Sequence, residues 1–337
     1  MFFNINSNKM FFYFILFFST LISISSNSWL GCWIGLEINL MSFIPLISNS
    51  KNLLSSEAAL KYFLTQSIAS INFLFTILLK LMLMKNFDNN LIFSILINSS
   101  MLMKMGSFPF HFWFPNIIEG LSWFNCFILM SWQKISPMIL LSYYINNNFI
   151  MIIVMFNVIV GTLGSHNLTS LRKIMTFSSI NNLGWMLMAI MISENLWLFY
   201  LLFYTLFISI MCFMFSMLNA YFINQLFFIN MNYIIKISFF INFLSLGGLP
   251  PFMGFFPKWM IINFLINNYF LMISFIFIMM SLIMLFIYIR IIYSSLLFNY
   301  IKMKWFKIFI KNKYFILLNF FNVISIMGMV MSTFFFF

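Results

Sequence analysis

The chain of 337 residues is 64% hydrophobic and 22% aromatic, only 7% of its residues are charged, and its mean hydropathy is +1.04. Soluble domains are about half apolar and a quarter charged, so this composition excludes a soluble globular protein and indicates an integral membrane protein throughout. The net charge of +12 comes mostly from lysines in short loops or lying singly in apolar runs, which does not indicate nucleic-acid binding. Because strand-length alternation is absent, we expect an all-α polytopic membrane protein.

Apolar runs and their polar interruptions predict about eleven transmembrane helices. The N-terminal run is interpreted as the first span rather than a signal peptide, because it shows no convincing cleavage site and more spans follow. A short segment at 109–119 lies between the fourth and fifth spans. The predicted spans cover 10–26, 28–48, 56–84, 89–107, 121–145, 149–165, 171–191, 195–221, 236–264, 269–297 and 314–336.

The basic residues of the loops predict the orientation of these spans. When the loops are numbered alternately, ten Lys and Arg residues of the loops fall on one face, and the other face has Lys85 and, at a helix end, Lys80. By the positive-inside rule the N-terminus is inside and the C-terminus outside. The run KMKWFKIFIKNK indicates an inside loop near anionic headgroups. The residues on the inside face are Lys9, Lys51, Arg172, Lys173, Lys236, Lys302, Lys304, Lys307, Lys311 and Lys313.

Prolines interrupt two apolar runs, KMGSFPFHFWFP at 104–115 and LSLGGLPPFMGFFPKW at 244–259. Proline breaks a helix interior, and irregular backbone at membrane depth survives only where protein or a water-filled cavity covers it. The breaks fall five spans apart, and a repeat of five spans must be inverted. We therefore predict one five-helix bundle at 1–146, an inverted one at 147–298, and a basic loop with a last helix at 299–337. Broken helices in inverted halves indicate a transport site; two accidental kinks are the alternative.

Four ionisable residues lie inside spans or at the breaks. Glu37 is near the centre of WLGCWIGLEINLMSFIPLIS, where a charge costs roughly 3 kcal/mol or more. Lys104 precedes the first break, Lys134 is near the middle of the fifth span, and Lys258 follows the second break. Burial disfavours a charged lysine and a nearby carboxylate favours it, so a lysine between these influences can load and release a proton when a neighbour moves. We expect the charge of Glu37 to bias the protonation of a nearby lysine.

Two further candidates keep a structural alternative. Lys61 lies one turn after Glu57, so a plain i, i+4 ion pair stands beside a role in proton transfer. His111 lies between aromatic residues in the first break, where it can relay protons near neutral pH or make a structural hydrogen bond within the loop. Arg290 and Lys80 lie near helix ends, and we expect both to snorkel to the membrane interface.

The sequence predicts no cofactor or metal in this chain. Cys32, Cys126 and Cys212 form no CxxC pair and lie in apolar segments, which is typical of small buried core residues. This argues against iron–sulfur clusters, haem attachment and a disulfide framework. No phosphate-binding glycine loop, HExxH motif or nucleophile–base set is present.

Several long strings resemble one family: SNSWLGCWIGLEINLMSFIPL, EAALKYFLTQ, PFHFWFPNIIEGLSW, LMSWQKISP, SLRKIMTFSSINNLGWM and NFLSLGGLPPFMGFFPKW. They are similar to the subunit 2 family of NADH:ubiquinone oxidoreductase, respiratory complex I, in its mitochondrially encoded, arthropod-like form. The resemblance implies an antiporter-like, proton-translocating subunit of this enzyme in the mitochondrial inner membrane, with the N-terminus on the matrix side and the C-terminus on the intermembrane-space side. It implies other membrane-arm and accessory subunits and the lipid bilayer with anionic lipids as partners, and no nucleic acid. NADH, FMN, iron–sulfur clusters and ubiquinone would be bound by other subunits, with no redox chemistry in this chain.

The same resemblance implies roles for the four residues: Glu37 and Lys104 as the pair, Lys134 as the central lysine and Lys258 as the exit-side lysine. The chain departs from the family pattern SSIxHxGW, because its SSINNLGWM carries Asn182, which can hydrogen-bond but cannot titrate. Two alternatives remain open. One is a stand-alone or multi-subunit cation/proton antiporter with the same fold, and the other is a purely structural membrane-arm subunit.

Overall fold

The protein consists of α-helices wherever its computed structural model describes the chain. The described residues contain no β-strand, only an isolated bridge between Ser170 and Phe222. Nine of the described segments are long and apolar enough to cross a membrane, which confirms the predicted all-α, multi-span class. The chain divides into two compact units, Met1–Ile153 and Val154–Phe337. The structure describes residues 7–49, 52–83, 90–229, 233–296 and 312–327.

The first unit packs long apolar helices through small polar residues. Ser19, Thr20 and Ser23 are buried on α1, and small side chains of this kind let neighbouring helices approach closely. Ser28 caps α2 by accepting a hydrogen bond from the Gly31 backbone N–H at 3.2 Å. The helices are α1 Ser7–Ser25, α2 Trp29–Ile47, α3 Leu53–Leu83, α4 Asn90–Met105, α5 Trp113–Ile118, α6 Trp123–Met130, α7 Ile135–Ser142 and the first part of α8 Asn147–Ser165.

The second unit is built around α9, which is buried along almost its whole length. Its buried side chains include the polar residues Ser178, Ser179 and Asn182, so the core of this unit has a hydrophilic strip. The last described helix, α15, contacts the break that follows α12, because the Met253 backbone N–H donates to the Ser325 carbonyl at 3.0 Å. After α8 the helices are α9 Leu171–Ile192, α10 Glu194–Leu218, α11 Ile223–Phe228, α12 Tyr233–Gly247, α13 Phe255–Asn267, α14 Leu271–Leu296 and α15 Asn312–Ile326.

Each unit contains one of the two predicted breaks, and a glycine with positive φ ends the helix in both. Gly106 (φ 71°) follows α4, and Gly248 (φ 79°) follows α12. After α4, the backbone N–H groups of Gly106 and Ser107 donate to the carbonyls of Met103 and Leu102. The same pair of bonds follows α12, and together they form the Schellman motif of helix C-termini.

The prediction of a Pro/Gly-broken helix in each half is confirmed, and the structure separates the roles of the two residue types. Pro109 and Pro250 lie beyond the helix ends, and Pro115 and Pro257 are the third residues of α5 and α13. A proline in the first helical turn is tolerated, because that N–H has no intrahelical partner. The prolines therefore shape the restart of each helix, while glycine stops it.

The predicted fifth span, 121–145, contains a further break. Helix α6 ends at Met130, a 3-10 turn covers Trp132–Lys134, and α7 begins at Ile135. Pro137 in the first turn of α7 has no N–H, so the Gln133 carbonyl lacks its helical partner, and the tightened turn precedes it.

The structure also corrects one loop charge. Lys236 was expected in an inside loop, but it lies in the first turn of α12 and its side chain is only 5% exposed. The apolar residues around it let the helix begin three residues earlier than predicted. Lys313 lies at the second position of α15 rather than before the last span. Several counted charges lie outside the described residues: Lys51, Lys85, Lys302, Lys304, Lys307 and Lys311.

Candidate functional site

Two of the predicted lysines line one cavity in the first unit. The cavity has a volume of about 20 Å³, which is enough for roughly one water molecule. Lys104 and Lys134 are only 6% and 2% exposed, so both are cut off from bulk water. Two ammonium groups on so small a cavity repel each other, which disfavours both being charged at once. The other polar residues lining it are Asn39, Tyr62, Gln66, Gln133 and Ser136.

Lys104 is placed by the last turn of α4. The carbonyl of Lys104 accepts a hydrogen bond from Gln66 Nε2 at 3.1 Å, and that of Met103 accepts one from Trp113 Nε1 at 3.2 Å. Neutral side chains from α3 and α5 therefore donate to carbonyls of the last turn of α4, and the Met103 carbonyl also accepts the Gly106 backbone N–H. The Lys104 ammonium is not used for this capping, and its side chain lines the cavity.

The structure brings Glu37 into electrostatic range of Lys104. Glu37 lies on α2 and is partly buried. Within the described residues the two groups form no ion pair closer than 4.0 Å. Because a Coulomb energy varies with the inverse of distance, a small shift of α2 against α4 changes this interaction appreciably.

Lys134 reaches the cavity from the irregular turn between α6 and α7. Its Nζ lies 5.5 Å from the ring centroid of Phe114, within the range of a cation–π contact. Lys134 leaves the chain from a 3-10 turn, three residues before Pro137. The sequence placed Lys134 correctly near mid-span, and Pro137 marks where the structure interrupts the helix.

Lys258 in the second unit caps the broken helix α12. Its Nζ donates to the carbonyls of Leu246 and Gly247 at 3.1 and 3.0 Å. The C-terminal end of a helix carries partial negative charge, so it favours an ammonium group. Trp185 adds a ring face 5.7 Å from the same nitrogen. In the second unit the charged Lys258 side chain donates to carbonyls at the end of the broken helix. In the first unit the neutral Gln66 side chain does so.

A second cavity, again of about 20 Å³, lies beside Lys258 within the second unit. Asn182 and Tyr200 line it together with Lys258, and Tyr204 and Ser245 add hydroxyl groups. The Tyr200 hydroxyl donates to Asn182 Oδ1 at 3.0 Å. Asn182, where the family pattern has histidine, is therefore a fixed acceptor facing the cavity rather than a titrating group.

We expect Tyr200→Phe to destabilise the second unit by about 1–3 kcal/mol, because Asn182 Oδ1 loses its donor while it stays buried. Adding Asn182→Leu to this variant should restore most of the loss, since replacing both partners by apolar groups is nearly neutral. Thermal unfolding of the solubilised protein measures both changes. A double variant no more stable than Tyr200→Phe alone would show that packing, not this hydrogen bond, matters.

The structure does not bring Lys61 or His111 to either cavity. Lys61 pairs with Glu57 at 2.6 Å, and both side chains are exposed, at 46% and 59%. His111 is buried in the 3-10 turn Phe110–Phe112, with its ring 4.2 Å from that of Phe112 and 6.3 Å from that of Phe108. The i, i+4 ion pair is thus formed, and aromatic stacking holds His111 in the first break.

We expect the double variant Glu57→Gln, Lys61→Gln to leave proton translocation unchanged, because the pair lies on the outer surface of α3 and lines no cavity. The neutral amides remove both charges together; glutamine matches glutamate in length and is one atom shorter than lysine. Proton uptake by sealed vesicles, measured against substrate turnover, checks this. A clear loss would place Lys61 in the proton path.

Sequence reasoning missed the neutral side chains of the site. Asn39, Gln66 and Gln133 line the first cavity, and Tyr200 and Tyr204 line the second. Each is a polar residue within an apolar span, which is a weak signal because polar residues are common in spans. The three cysteines agree with the prediction of buried core residues, because Cys32, Cys126 and Cys212 are all buried.

Comparison with known proteins places this arrangement in a family. The family described as "NADH:quinone oxidoreductase/Mrp antiporter, TM" matches residues 26–284. NADH-ubiquinone oxidoreductase chain 2 of Anopheles gambiae is 54% identical over 255 residues, covering 74% of each chain. The same protein of Locusta migratoria is 47% identical over 268 residues, covering 78% of each. The chain belongs to the NADH-ubiquinone oxidoreductase chain 2 family.

Two solved structures share the fold. A chain of respiratory complex I from Thermus thermophilus gives a TM-score of 0.84 at 18% identity, covering 97% of this chain and 79% of its own. A chain of the Mrp complex from Dietzia gives 0.75 at 14% identity, covering 84% and 59%. At these identities the likeness shows the fold alone. The antiporter-like membrane fold is thus confirmed, and the roles of individual residues stay predictions.

Proposed function

We propose that this chain is a proton-translocating subunit in the membrane arm of mitochondrial NADH:ubiquinone oxidoreductase. The observation that carries the proposal is the buried cavity shared by Lys104 and Lys134, with Glu37 in electrostatic range. Charged groups at membrane depth are expensive and mark ion paths. NADH, FMN, iron–sulfur clusters and ubiquinone would be held by other subunits, so this chain would perform proton transfer and no redox step. Membership in the enzyme family supports the assignment of this chain to the complex.

In this mechanism Glu37 controls the proton on the lysine pair. When Glu37 interacts strongly with Lys104, the Lys104 ammonium is stabilised and repels a proton on Lys134; when the interaction weakens, Lys134 can accept one. Two unit charges about 6 Å apart interact by roughly 3 kcal/mol at an effective dielectric of about 20. Lifting one charge against ~150 mV needs roughly 3.5 kcal/mol. The two energies are of the same size, so complete loss of this interaction would supply most of the energy of the step.

Lys258 would act as the exit-side group of the second unit. Its ammonium has three donors, and two are used by the carbonyls of Leu246 and Gly247. The cavity lined by Asn182 and Tyr200 lies beside it and accepts roughly one water molecule. A proton on Lys258 Nζ can therefore pass to that water while the α12 carbonyls keep the amine in place.

A second candidate function is cation/proton antiport without NADH chemistry, which the likeness to a chain of the Mrp complex favours. The two functions predict different ion dependence. NADH-driven acidification that continues when sodium and potassium are replaced by a bulky organic cation supports the enzyme subunit. Sodium- or potassium-driven proton flux without NADH supports the antiporter.

The first test of the assignment is where the chain occurs. Gently solubilised native membranes are run on a native gel, stained for NADH dehydrogenase activity, and the bands are analysed by mass spectrometry. Recovery of this chain in the active, very large band supports the proposal. Recovery only in bands without NADH activity contradicts it.

The proposed orientation has its own test. We place the N-terminus on the matrix side and the partners, other membrane-arm and accessory subunits with anionic lipids, around the exposed apolar faces. Lys9 is exposed at the start of α1, so Lys9→Cys offers a labelling position. A membrane-impermeant thiol reagent should label it in inside-out vesicles only. Labelling in right-side-out vesicles would reverse the orientation.

A further inference from the structure

Two side-chain amides on different elements of the first unit hold each other in a reciprocal pair. Asn39 Nδ2 donates to Gln133 Oε1 at 2.9 Å, and Gln133 Nε2 donates to Asn39 Oδ1 at 3.0 Å. Both distances are ideal for N–H···O bonds. Asn39 lies on α2 and is 4% exposed, and Gln133 lies in the 3-10 turn between α6 and α7. The pair therefore joins two segments that are 94 positions apart.

Each member of the pair is close along the chain to an ionisable residue of the proposed mechanism. On α2, Glu37 is two residues before Asn39, and Lys134 directly follows Gln133 in the turn. Both amides line the cavity that Lys104 and Lys134 share. A movement of α2 that changes the distance between Glu37 and Lys104 thus also acts on the turn that carries Lys134.

The turn is the part of the first unit where such a connection matters. Its backbone is irregular, because Pro137 removes the helical partner of the Gln133 carbonyl. A regular helix would fix the direction of Lys134 by itself, whereas a 3-10 turn has weaker hydrogen bonds and needs support from its side chains. The Gln133 side chain supplies this support through Asn39.

An amide pair also differs from apolar packing in what it can do. Apolar contacts are non-directional, so they hold a turn without fixing its rotation. A reciprocal amide pair has a required geometry and lateral register, and a buried amide that loses its partner is strongly disfavoured. The turn is therefore either held in one orientation relative to α2 or released from it. Intermediate orientations, in which the amides are unpaired, are unfavourable.

We propose that Asn39 and Gln133 are positioning residues that couple the α2 helix carrying Glu37 to the orientation of Lys134. This inference rests on the proposed proton-translocating function and adds a mechanical link to it. While the pair is intact, Lys134 faces the cavity and exchanges its proton with the water there. When α2 shifts, the pair turns Gln133 and moves the Lys134 amine with it.

The test uses a length swap in the assembled complex, reconstituted into vesicles. Asn39→Gln makes the pair too long and Gln133→Asn makes it too short, so each should lower the protons taken up per NADH oxidised by at least half of the loss caused by Lys134→Met. The double variant Asn39→Gln, Gln133→Asn keeps the summed length and should recover most of the ratio. A second double variant, Asn39→Leu with Gln133→Met, fills the same space without hydrogen bonds and should stay low.

A matched control is available in the same unit. Asn125 on α6 also joins its element to α2, since its Nδ2 donates to the Leu46 carbonyl at 2.8 Å, but it does not line the cavity. Asn125→Leu should reduce the amount of assembled complex without changing protons per NADH in what remains. The pH profile of the ratio should shift in the single length variants and stay unshifted in Asn125→Leu.

The outcomes separate this inference from the proposed function. If the length variants, or the apolar double variant, keep the normal ratio while Lys134→Met lowers it, the coupling role of the pair is wrong and the function stands. If Lys134→Met itself keeps the normal ratio, the function is wrong. Failure of the swap to recover activity, with normal assembly, would also overturn the coupling role.

Discussion

Lys134→Met should remove this chain's whole share of the protons pumped per NADH, while the assembled complex still oxidises NADH in the presence of an uncoupler. Methionine fills nearly the same volume and keeps the unbranched shape, so the surroundings of the side chain change little. What is lost is one of the two lysines that line the cavity, the less exposed of them at 2% and out of reach of bulk water. No neighbouring amide or hydroxyl can take over, because none of them titrates near neutral pH.

Loss of stability would not explain such a result. Taking a lysine ammonium out of water is costly, and replacing a buried charge by a well-packed apolar side chain is often neutral or stabilising. We therefore expect normal assembly on a native gel together with a low ratio in reconstituted vesicles. Glu37→Gln should lower the ratio less, because the amide keeps the size of the carboxylate and Lys134 itself remains.

Lys80→Met is the matched control for this experiment. Lys80 is at the end of α3, where its amine donates to the Tyr144 hydroxyl, and it lines neither cavity. The control should pump normally. Normal pumping by Lys134→Met as well, with normal assembly, would favour the purely structural subunit over the proton-translocating one.

The apolar spans could be predicted because the information is local. A span requires about twenty apolar residues, whatever the rest of the chain does. The Pro/Gly breaks were located for the same reason, but the sequence does not separate the role of the prolines from that of the glycines. Proline marked the segments KMGSFPF and LGGLPPF, whereas Gly106 and Gly248 end the helices by adopting positive φ. A Schellman end depends on the backbone conformation of one residue, and the sequence offered two adjacent glycines, 247 and 248, without distinguishing them.

The charged part of the site could be predicted for an energetic reason. An ionised group at membrane depth is so unfavourable that its presence alone marks it, which singled out Glu37, Lys104 and Lys134. The neutral residues of the site could not be predicted, because a lone Asn or Gln in a span has many possible hydrogen-bond partners. That Asn39 faces Gln133 follows only from how α2 packs against the turn, 94 positions away. The prediction for Lys236 was wrong in a different way: we expected its charge in a loop, but the side chain is buried in a helix.

Gly248→Ala should both destabilise the second unit and displace Lys258. Gly248 has φ 79°, and left-handed backbone costs an L-residue about 1–2 kcal/mol. The added Cβ would also lie 2.9 Å from Lys258 Cδ and 3.1 Å from Nζ, which is closer than van der Waals contact. The flexible lysine must give way, so its hydrogen bonds to the Leu246 and Gly247 carbonyls are weakened. We expect a lower thermal unfolding temperature and a lower ratio of protons to NADH.

The adjacent glycine provides a control variant, for which the expected change in stability has the opposite sign. Gly247 is the last residue of α12, and a Cβ there would meet the Leu285 side chain at 3.5 Å, an ordinary contact. Alanine is favoured over glycine in helices by about 1 kcal/mol, so Gly247→Ala should leave stability unchanged or raise it, and it should pump normally. If Gly248→Ala lowers stability but pumps as Gly247→Ala does, the position of Lys258 against the α12 carbonyls is irrelevant to proton exit. In that case its role must lie in the cavity beside Asn182, where Tyr200→Phe becomes the deciding variant.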